Sequence, residues 1–378
     1  MIRPNDYDLT PEQLQVIFDE RIRRRLFRRA RTEHTPSAVL LGAQSGSGKT
    51  KALQSIVAAT PGDPVAIVGD DLRAFHPAYA RLLEDAPTEM PDATAQASGA
   101  WVRMSIDYAR DHKVSVVIEG TFRNPDVTIL EAARFHEAGY RTHVVALAVP
   151  GAVSRLSTLD RFVADARVGR DARWTPLEGH QRGYEGTPRT VAAAEQSPHV
   201  DQLSIQNRNG QILYTGTRPT PAAHIDGAVD ALELGRNTPQ SPAAAADWLE
   251  RFHGNITYAG AHGLVSPEHR ALFAALTDDA HQVADQAYPQ AASTPSIAAH
   301  HRIDQVDEQL RVYTLAARFQ GTQSAEQRLR RVSTTVPEPH TPVIPDLATR
   351  MRGIVADTPA PTNNDTPTGP SVNRGPRI

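Results

Sequence analysis

A short apolar run followed at once by a Gly- and Ser-rich turn is the feature that most restricts how this chain can fold. Residues 37–41 read SAVLL, and residues 43–50 read AQSGSGKT. The second segment fits the phosphate-binding pattern GxxxxGK[ST], with Ala43 at the position where a first glycine is usual. A helical pattern continues over residues 51–59, so the sequence predicts a strand–loop–helix unit whose loop holds the phosphates of a nucleotide.

Short apolar runs alternate with helical patterns through the first half of the chain. In order, they are residues 65–69 (strand), 101–111 (helix), 114–118 (strand), 127–138 (helix) and 142–149 (strand). This alternation is typical of βαβ units. We therefore predict an α/β fold of the P-loop NTPase or kinase type, with a mainly parallel sheet flanked by helices. Residues 203–206 and 211–214 are expected to close it as a hairpin.

Composition divides the chain into four candidate domains. They are an amphipathic helical segment (residues 1–36), a P-loop kinase domain (37–216), a mainly helical C-terminal region of unknown role (217–333) and a Pro-rich tail (334–378). A candidate linker at 217–223 precedes the C-terminal helices, which we expect near 243–252, 267–288 and 297–319. The tail has nine prolines in 45 residues and few apolar residues, a composition that predicts disorder.

The N-terminal segment carries seven arginines between Arg21 and Arg31. It opens on Thr10-Pro11-Glu12-Gln13, which combines an N-cap, a proline at the first helical position and a capping-box glutamine. Apolar residues then recur at helical spacing and predict a helix over residues 10–34. Their periodicity favours the solvated face of an amphipathic helix; a basic arm for nucleic acid or an acidic partner is the alternative.

Charge and cysteine content exclude several classes of function. The chain has 40 Lys and Arg against 43 Asp and Glu, a net charge of −3, so binding of nucleic acid or a membrane through bulk charge is not expected. It has no cysteine, which excludes disulfides, zinc–thiolate sites, iron–sulfur clusters and thiol nucleophiles. No apolar run reaches membrane-spanning length and the N-terminus does not resemble a signal peptide, so we expect a soluble, cytoplasmic protein.

The glycine-rich loop supplies the candidate nucleotide-binding residues. Its backbone N–H groups and the start of the following helix favour phosphate, Lys49 reaches the β- and γ-phosphates, and the Thr50 hydroxyl ligates Mg²⁺. We therefore expect ATP and Mg²⁺ as cofactors. The candidate ATP-binding residues are Gln44, Ser45, Gly46, Ser47, Gly48, Lys49 and Thr50.

Polar side chains follow the second and third predicted strands, at the edge where open α/β sheets bind ligands. Asp70 can accept the proton of an attacking hydroxyl, although Asp70 or Asp71 could instead cap the next helix. Glu119 and Thr121 share a face if the strand continues, and they suit a hydroxyl-rich acceptor. A structural pair between Glu119 and Arg123 is the alternative.

Arginines further along the chain are candidates for stabilising the transferred phosphate. Phosphoryl transfer depends mainly on positioning and on positive charge near the γ-phosphate. Arg161 lies in LSTLDRF and Arg173 in ARWTP. By residue type alone, both could equally be surface residues.

Together, these segments resemble the zeta toxin family. The matching pieces are AQSGSGKT, DDLRAFHP, IEGTFR, LSTLDRF and ARWTP, in the family's order, and the resemblance covers roughly residues 10–216. The family phosphorylates UDP-N-acetylglucosamine with ATP, acts as the toxin of bacterial toxin–antitoxin pairs, and is neutralised by a small helical antitoxin. The resemblance therefore implies a kinase that blocks peptidoglycan synthesis.

The resemblance also implies roles for individual residues. Lys49 and Thr50 would hold the phosphates and Mg²⁺, and Asp70 would be the base that activates the 3′-hydroxyl of the amino sugar. Sugar-nucleotide contacts are implied for Glu119, Thr121 and Arg123, and contacts to the ATP phosphates for Arg161 and Arg173.

Two other functions stay open on sequence grounds. The first is a kinase of the same fold that phosphorylates an antibiotic, a nucleoside or a dinucleotide, because any hydroxylated acceptor suits Glu119 and Thr121. The second is a nucleotide-binding interaction module whose work is done by residues 217–378.

Overall fold

Six strands form one mainly parallel sheet. The computed structural model describes residues 4–86, 89–169 and 174–331, with side chains through residue 315. The strands are β1 (Ser37–Gly42), β2 (Val65–Val68), β3 (Val116–Gly120), β4 (Arg141–Ala148), β5 (Gln202–Asn207) and β6 (Ile212–Thr217). Their order is β2–β3–β1–β4–β5–β6, and β6 alone pairs antiparallel. The predicted fold class and closing hairpin are confirmed.

Helices cover both faces of the sheet and continue beyond it. They are α1 (Pro11–Ile17), α2 (Arg23–Leu26), α3 (Lys49–Ala59), α4 (Gly69–Leu72), α5 (Tyr79–Asp85), α6 (Met90–Ala93), α7 (Ala95–Asp111), α8 (Pro125–Glu137), α9 (Gly151–Arg167), α10 (Leu177–Gln196), α11 (Ala228–Asn237), α12 (Pro242–Ala261), α13 (Arg270–Ala287) and α14 (Thr294–Arg331). A π-helical turn, Phe18–Ile22, joins α1 to α2. None of the helices in the described residues is long and apolar enough to cross a membrane.

Alternation along β1 builds a core on each face of the sheet. Ala38 and Leu40 pack into one core with residues of α7 and α8, and Val39 and Leu41 pack into another with α3. Successive side chains of a strand point to opposite faces, so a strand covered on both sides must be apolar throughout. The SAVLL run meets that requirement, and it places the loop after β1 at the centre of the sheet edge.

The N-terminal helix packs its apolar face on α7. The predicted capping box is present, with Thr10 Oγ1 accepting from the Gln13 backbone and Gln13 Oε1 accepting from the Thr10 backbone. Phe18 and Ile22 are buried against Trp101. The helical part ends at Leu26 rather than near residue 34. Most of the arginines are exposed on the outer face, as expected for an amphipathic helix.

A second large core joins α9 to the C-terminal helices. Leu156 and Leu159 of α9 are fully buried against Trp248 and Phe252 of α12 and Leu276 of α13. The segment before α11 is also attached, because Arg218 donates to the carbonyl oxygens of Val200, Ala194 and Glu195. Arg218 thereby attaches this segment to the sheet domain, although most of residues 217–223 are exposed, and the linker stays a prediction. The predicted disordered tail lies outside the described residues.

Candidate active site

The loop between β1 and α3 surrounds the ammonium group of Lys49. Gly46 and Gly48 adopt φ angles of 75° and 91°, a left-handed conformation that glycine adopts without strain. Lys49 Nζ donates to the carbonyl oxygens of Ala43 and Gln44, each at 2.9 Å. Ala43 is fully buried in the core beside α3, so the methyl group that replaces the usual glycine is accommodated.

The opposite charges of Lys49 and Glu119, at the edge of the sheet, influence the pKa of each other's side chain. Burial lowers the pKa of the Lys49 ammonium, and the negative charge of Glu119 opposes that effect. Burial raises the pKa of the Glu119 carboxyl, and Lys49 opposes that effect in turn. The register sets Val68 and Leu41 level with Glu119 on either side, which explains why the ends of β2, β3 and β1 form one crevice.

A buried polar network lies beneath the loop. The Gln44 side chain donates to Val149 O at 3.0 Å and to Ser154 Oγ at 3.2 Å. Ser154 Oγ also lies 2.9 Å from His180 Nε2. Burial lowers the pKa of His180 to about 3, so this imidazole is neutral at physiological pH. The network fixes the Gln44 side chain. The sequence pattern indicates only that Gln44 belongs to the loop and does not predict these contacts.

α10 approaches the loop closely because it presents small residues to it. A Cβ at Gly183 would lie 3.0 Å from Gln44 Cα, and one at Gly186 would clash with the carbonyl oxygen of Phe122. α10 also contains Pro188, which has no N–H to donate to the carbonyl of Tyr184, four residues earlier.

Arg236 of α11 takes the place of the missing donor. Its Nη2 donates to Tyr184 O at 2.6 Å, and its guanidinium lies 3.9 Å from the centre of the Tyr184 ring. The same nitrogen reaches to 3.5 Å from Gln44 Oε1. Arg236 is 4% exposed, so a buried positive charge supports the loop from below. No sequence motif indicates this residue.

A second unpredicted arginine contacts the loop from the β5–β6 turn. Arg208 Nη1 donates to Gly46 O at 2.6 Å. On the other side of the loop, a Cβ at Gly46 would clash with the carbonyl oxygen of Ser154 in α9. Gly46 is therefore held between a hairpin and a helix, and both contacts join residues far apart in sequence.

Asp70 lies in the first turn of α4, directly after β2. The N-cap position belongs to Val68, which makes no side-chain cap, so capping does not account for Asp70. Arg73 Nε donates to Asp70 Oδ1 at 3.0 Å. His76, in the same motif, accepts from the Ala78 backbone at 3.1 Å and lies 3.0 Å from Tyr7 O. His76 thus anchors the N-terminal segment.

The residues after β3 are fixed by an unusual backbone conformation. β3 ends at Gly120, so Thr121 lies just beyond the strand. Phe122 has a φ of 49°, and its ring fills the space where a side chain at Gly42 would sit. Thr190 Oγ1 of α10 donates to Phe122 O at 3.3 Å. Arg123 follows, and burial lowers the pKa of its guanidinium.

Arg161 projects from α9, and its Nη2 donates to Thr175 Oγ1 at 3.0 Å. Its positive charge acts on both Lys49 and Glu119. Arg161 is therefore brought to the same crevice as the loop. Arg173 lies outside the described residues.

The loop has features that fit a bound phosphate and Mg²⁺. Ser47 is fully buried, and its Oγ has no partner among the described residues. Thr50 is exposed in the first turn of α3. Across the described part of the chain, no group of three His, Cys, Asp or Glu could hold a metal. Mg²⁺ that accompanies a nucleotide takes most of its ligands from phosphate and water, so the donor set fits such an ion.

Comparison with known proteins gives one consistent result. The model of the zeta toxin family matches residues 20–218. Toxin zeta of Streptococcus agalactiae is 29% identical over 212 residues, which cover 56% of this chain and 74% of that protein. Toxin PezT of Streptococcus pneumoniae serotype 4 is 28% identical over 201 residues, which cover 53% of this chain and 79% of that protein.

Solved structures agree at the level of the fold. One, from the characterisation of the PezAT chromosomal toxin–antitoxin system of Streptococcus pneumoniae, superposes with a TM-score of 0.57 at 22% identity. It covers 66% of this chain and 99% of that chain. With more than half of its length matched by the family model, the chain belongs to the zeta toxin family of kinase-like toxins.

Proposed function

We propose that this protein transfers the γ-phosphate of ATP to the 3′-hydroxyl of UDP-N-acetylglucosamine. The observation that carries the proposal is the shared edge at the ends of three strands: Glu119 of β3 lies level with Leu41 of β1 and Val68 of β2, and Asp70 follows β2 directly. The charges of Glu119, Arg161, Asp70 and Arg123 all act on Lys49 there. A cation from the phosphate loop, two carboxylates and two arginines thus converge on one crevice. That combination suits a reaction in which charge moves from an attacking hydroxyl to a leaving phosphate.

In the proposed step, Asp70 accepts the proton of the acceptor hydroxyl, and that oxygen attacks the γ-phosphorus. The bond between the γ-phosphorus and the β–γ bridging oxygen breaks, and ADP leaves with the electron pair. Lys49 and Arg161 offset the negative charge of the transferring group, and we assign Arg173 the same role. When bound, Mg²⁺ would neutralise charge on the phosphates, and Thr50 would be its ligand from the chain.

The acceptor would lie beyond β3, on the side of the loop where Asp70 is found. We assign Glu119 and Thr121 to hydrogen bonds with the sugar nucleotide and Arg123 to its negative charge. Glu119 is half-buried and electrostatically coupled to Lys49, so it could link acceptor binding to the charge at the loop. The remaining loop residues, from Gln44 to Gly48, would contact the phosphates of ATP.

The biological role follows from the acceptor. Phosphorylation of UDP-N-acetylglucosamine would withhold a precursor of peptidoglycan, so the enzyme would act as a toxin in the cytoplasm. A protein of this kind needs a neutralising partner, and we propose a small helical antitoxin. Support for this comes from family membership and from the toxin–antitoxin context of its relatives.

The test is phosphate transfer from γ-labelled ATP and Mg²⁺ to UDP-N-acetylglucosamine. The key variant is Asp70→Asn, and its neighbour Asp71→Asn is the matched control. We expect Asp70→Asn to lower transfer by about two to four orders of magnitude while ATP still binds, and Asp71→Asn to stay near wild type. ATP binding without transfer would reject this acceptor and call for a panel of hydroxylated acceptors. Equal activity of both variants would reject Asp70 as the base.

A further inference from the structure

α9 presents opposite faces to the phosphate loop and to the C-terminal helices. Ser154, Thr158 and Arg161 recur at intervals of four and three residues, so they share one face. The carbonyl of Ser154 and the methyl of Thr158 lie against Gly46 of the loop. Arg161 reaches the crevice from the same face, so any rotation of α9 moves Arg161 relative to the loop.

The other face of α9 belongs to the C-terminal core. Leu156, Leu159 and Val163 share it and are at most 1% exposed. They pack with the apolar residues of α12 and α13. Trp248 of α12 adds a directional contact, because its Nε1 donates to Ala152 O at 3.1 Å. The C-terminal helices therefore cover α9 on the side away from the nucleotide.

Two charged contacts fix the rotation of α9. Arg155 donates from both Nε and Nη2 to the carboxylate of Asp279 in α13, each at 2.6 Å. The Asp279 side chain is 5% exposed. Asp160 accepts from Arg251 and from Asn255 of α12, again at 2.6 Å each. Bidentate pairs of this kind are directional as well as strong.

The partner of Arg161 also rests on the C-terminal helices. Thr175 accepts the hydrogen bond from Arg161, and the neighbouring Trp174 stacks on His269, with ring centres 3.8 Å apart. Trp174 further contacts Phe273 of α13. Residues beyond 240 thus hold the helix that carries Arg161. They also hold the segment that contains its hydrogen-bond acceptor, Thr175.

We propose that α12 and α13 form a positioning brace for the active site, with Asp279 as a positioning residue for Arg161. This assignment rests on the proposed phosphoryl transfer. It gives the C-terminal helical region a role in catalysis without contact to ATP or acceptor. Small displacements of a group that must meet the γ-phosphate lower rates steeply. A brace on the far face of α9 should therefore affect kcat.

The test uses Asp279→Asn in the full chain, which keeps the shape of the side chain and removes its charge. We expect kcat to fall about tenfold, with little change in KM for the acceptor. The matched control is Glu131→Gln, which breaks the pair between Glu131 and Arg110, at 3.2 Å on α8 and α7. The control should lower the melting temperature to a similar degree and leave kcat unchanged.

A double-mutant cycle with Arg161→Lys separates positioning from general stability. If Asp279 acts through Arg161, then Asp279→Asn should lower kcat by less than about twofold in the Arg161→Lys background. Equal losses in both backgrounds, or unchanged kcat in a folded Asp279→Asn protein, would overturn the proposal. Should Asp279→Asn fail to fold, the pair Arg155→Met with Asp279→Leu restores an uncharged contact and is tested in the same cycle.

The same measurements distinguish a failure of the brace proposal from a failure of the proposed function. ATP-dependent phosphate transfer by the wild type, to whichever hydroxylated acceptor supports it, establishes that there is a reaction to measure. Absence of any transfer would reject the proposed function and, with it, a brace for that reaction. Transfer by the wild type without coupling between Asp279 and Arg161 would reject the brace alone.

Discussion

Arg73 Nε donates to Asp70 Oδ1 at 3.0 Å, while Arg73 Nη1 donates to Thr94 Oγ1 at 2.8 Å and to Pro91 O. One guanidinium therefore ties the candidate base to the start of α7. A carboxylate held in this way keeps a defined direction before the acceptor arrives. We therefore expect Arg73, the basic residue of the DDLRAFHP segment, to position Asp70, and His76 anchors the same segment from its other end.

We expect Arg73→Gln to lower transfer about tenfold and to lower the melting temperature, because Pro91 O and Thr94 lose a charged donor. The measurement is initial rate at saturating ATP together with thermal unfolding. Arg81→Gln is the control, since Arg81 contacts only the Tyr7 hydroxyl and ring among its described partners. A folded Arg73→Gln protein with wild-type turnover would contradict the positioning role.

Lys49→Ala should weaken ATP binding and lower transfer by orders of magnitude, because it removes a charged donor to the β- and γ-phosphates. Lys51→Ala changes an exposed lysine two residues later. This variant should retain both ATP binding and phosphate transfer. Fluorescence titration with a labelled ATP analogue measures binding, and initial rates measure transfer. Near-normal transfer by folded Lys49→Ala would show that ATP does not bind at this loop.

Glu119→Gln should change how stability depends on pH. Burial raises the pKa of Glu119 above its ordinary 4.5, so the folded protein holds this proton more tightly than the unfolded chain. The contribution of Glu119 to stability is therefore full below pH 4.5 and is lost as pH rises through the folded pKa. The melting temperature of Glu119→Gln minus that of wild type should consequently increase from about pH 4 to about pH 8.

Thermal unfolding over that pH range, in the absence of nucleotide, measures the difference. Glu137→Gln on the exposed end of α8 is the control and should give a flat difference. Transfer by Glu119→Gln should fall at the same time, because a donating amide nitrogen replaces one of the two carboxylate oxygens that can accept from the acceptor hydroxyl. A difference that decreases with pH would show that Glu119 is stabilised as its ion.

Removal of residues 334–378 should leave folding and transfer unchanged. The segment is rich in proline and poor in apolar residues, so it lacks what a core requires. We expect the melting temperature of the chain 1–333 to match the full chain within about 2 °C. A fall of about 5 °C or more would show that the tail packs against the rest of the protein.

The sequence predicts those parts of the fold whose determinants are local. The phosphate loop is predicted because its glycines, Lys49 and the preceding strand are contiguous. The hairpin is predicted because Asn209-Gly210 lies between two apolar runs. The common edge for Asp70 and Glu119 follows from the rule that parallel strands end together, and the register shows that β2 ends level with Glu119 of β3.

The parts that could not be predicted depend on distant contacts. Gly179, Gly183, Gly186 and Pro188 resemble interruptions of a helix, yet α10 runs through all four. Its small residues are needed for close approach to the loop and to Phe122, which lie far away in sequence. Arg208 and Arg236 carry no motif, because their partners are backbone carbonyl oxygens whose positions are set only by the complete fold.

The proline within α10 has a consequence for how the protein is made. Pro188 leaves Tyr184 O without its helical donor, and the replacement, Arg236, is synthesised 48 residues later. A nascent chain that has not yet released Arg236 from the ribosome therefore lacks one support of the phosphate loop. The Asp279 contact to α9 is made later still. The candidate site is thus completed only after α13 has been synthesised, well after the phosphate loop and the strands that carry its motifs.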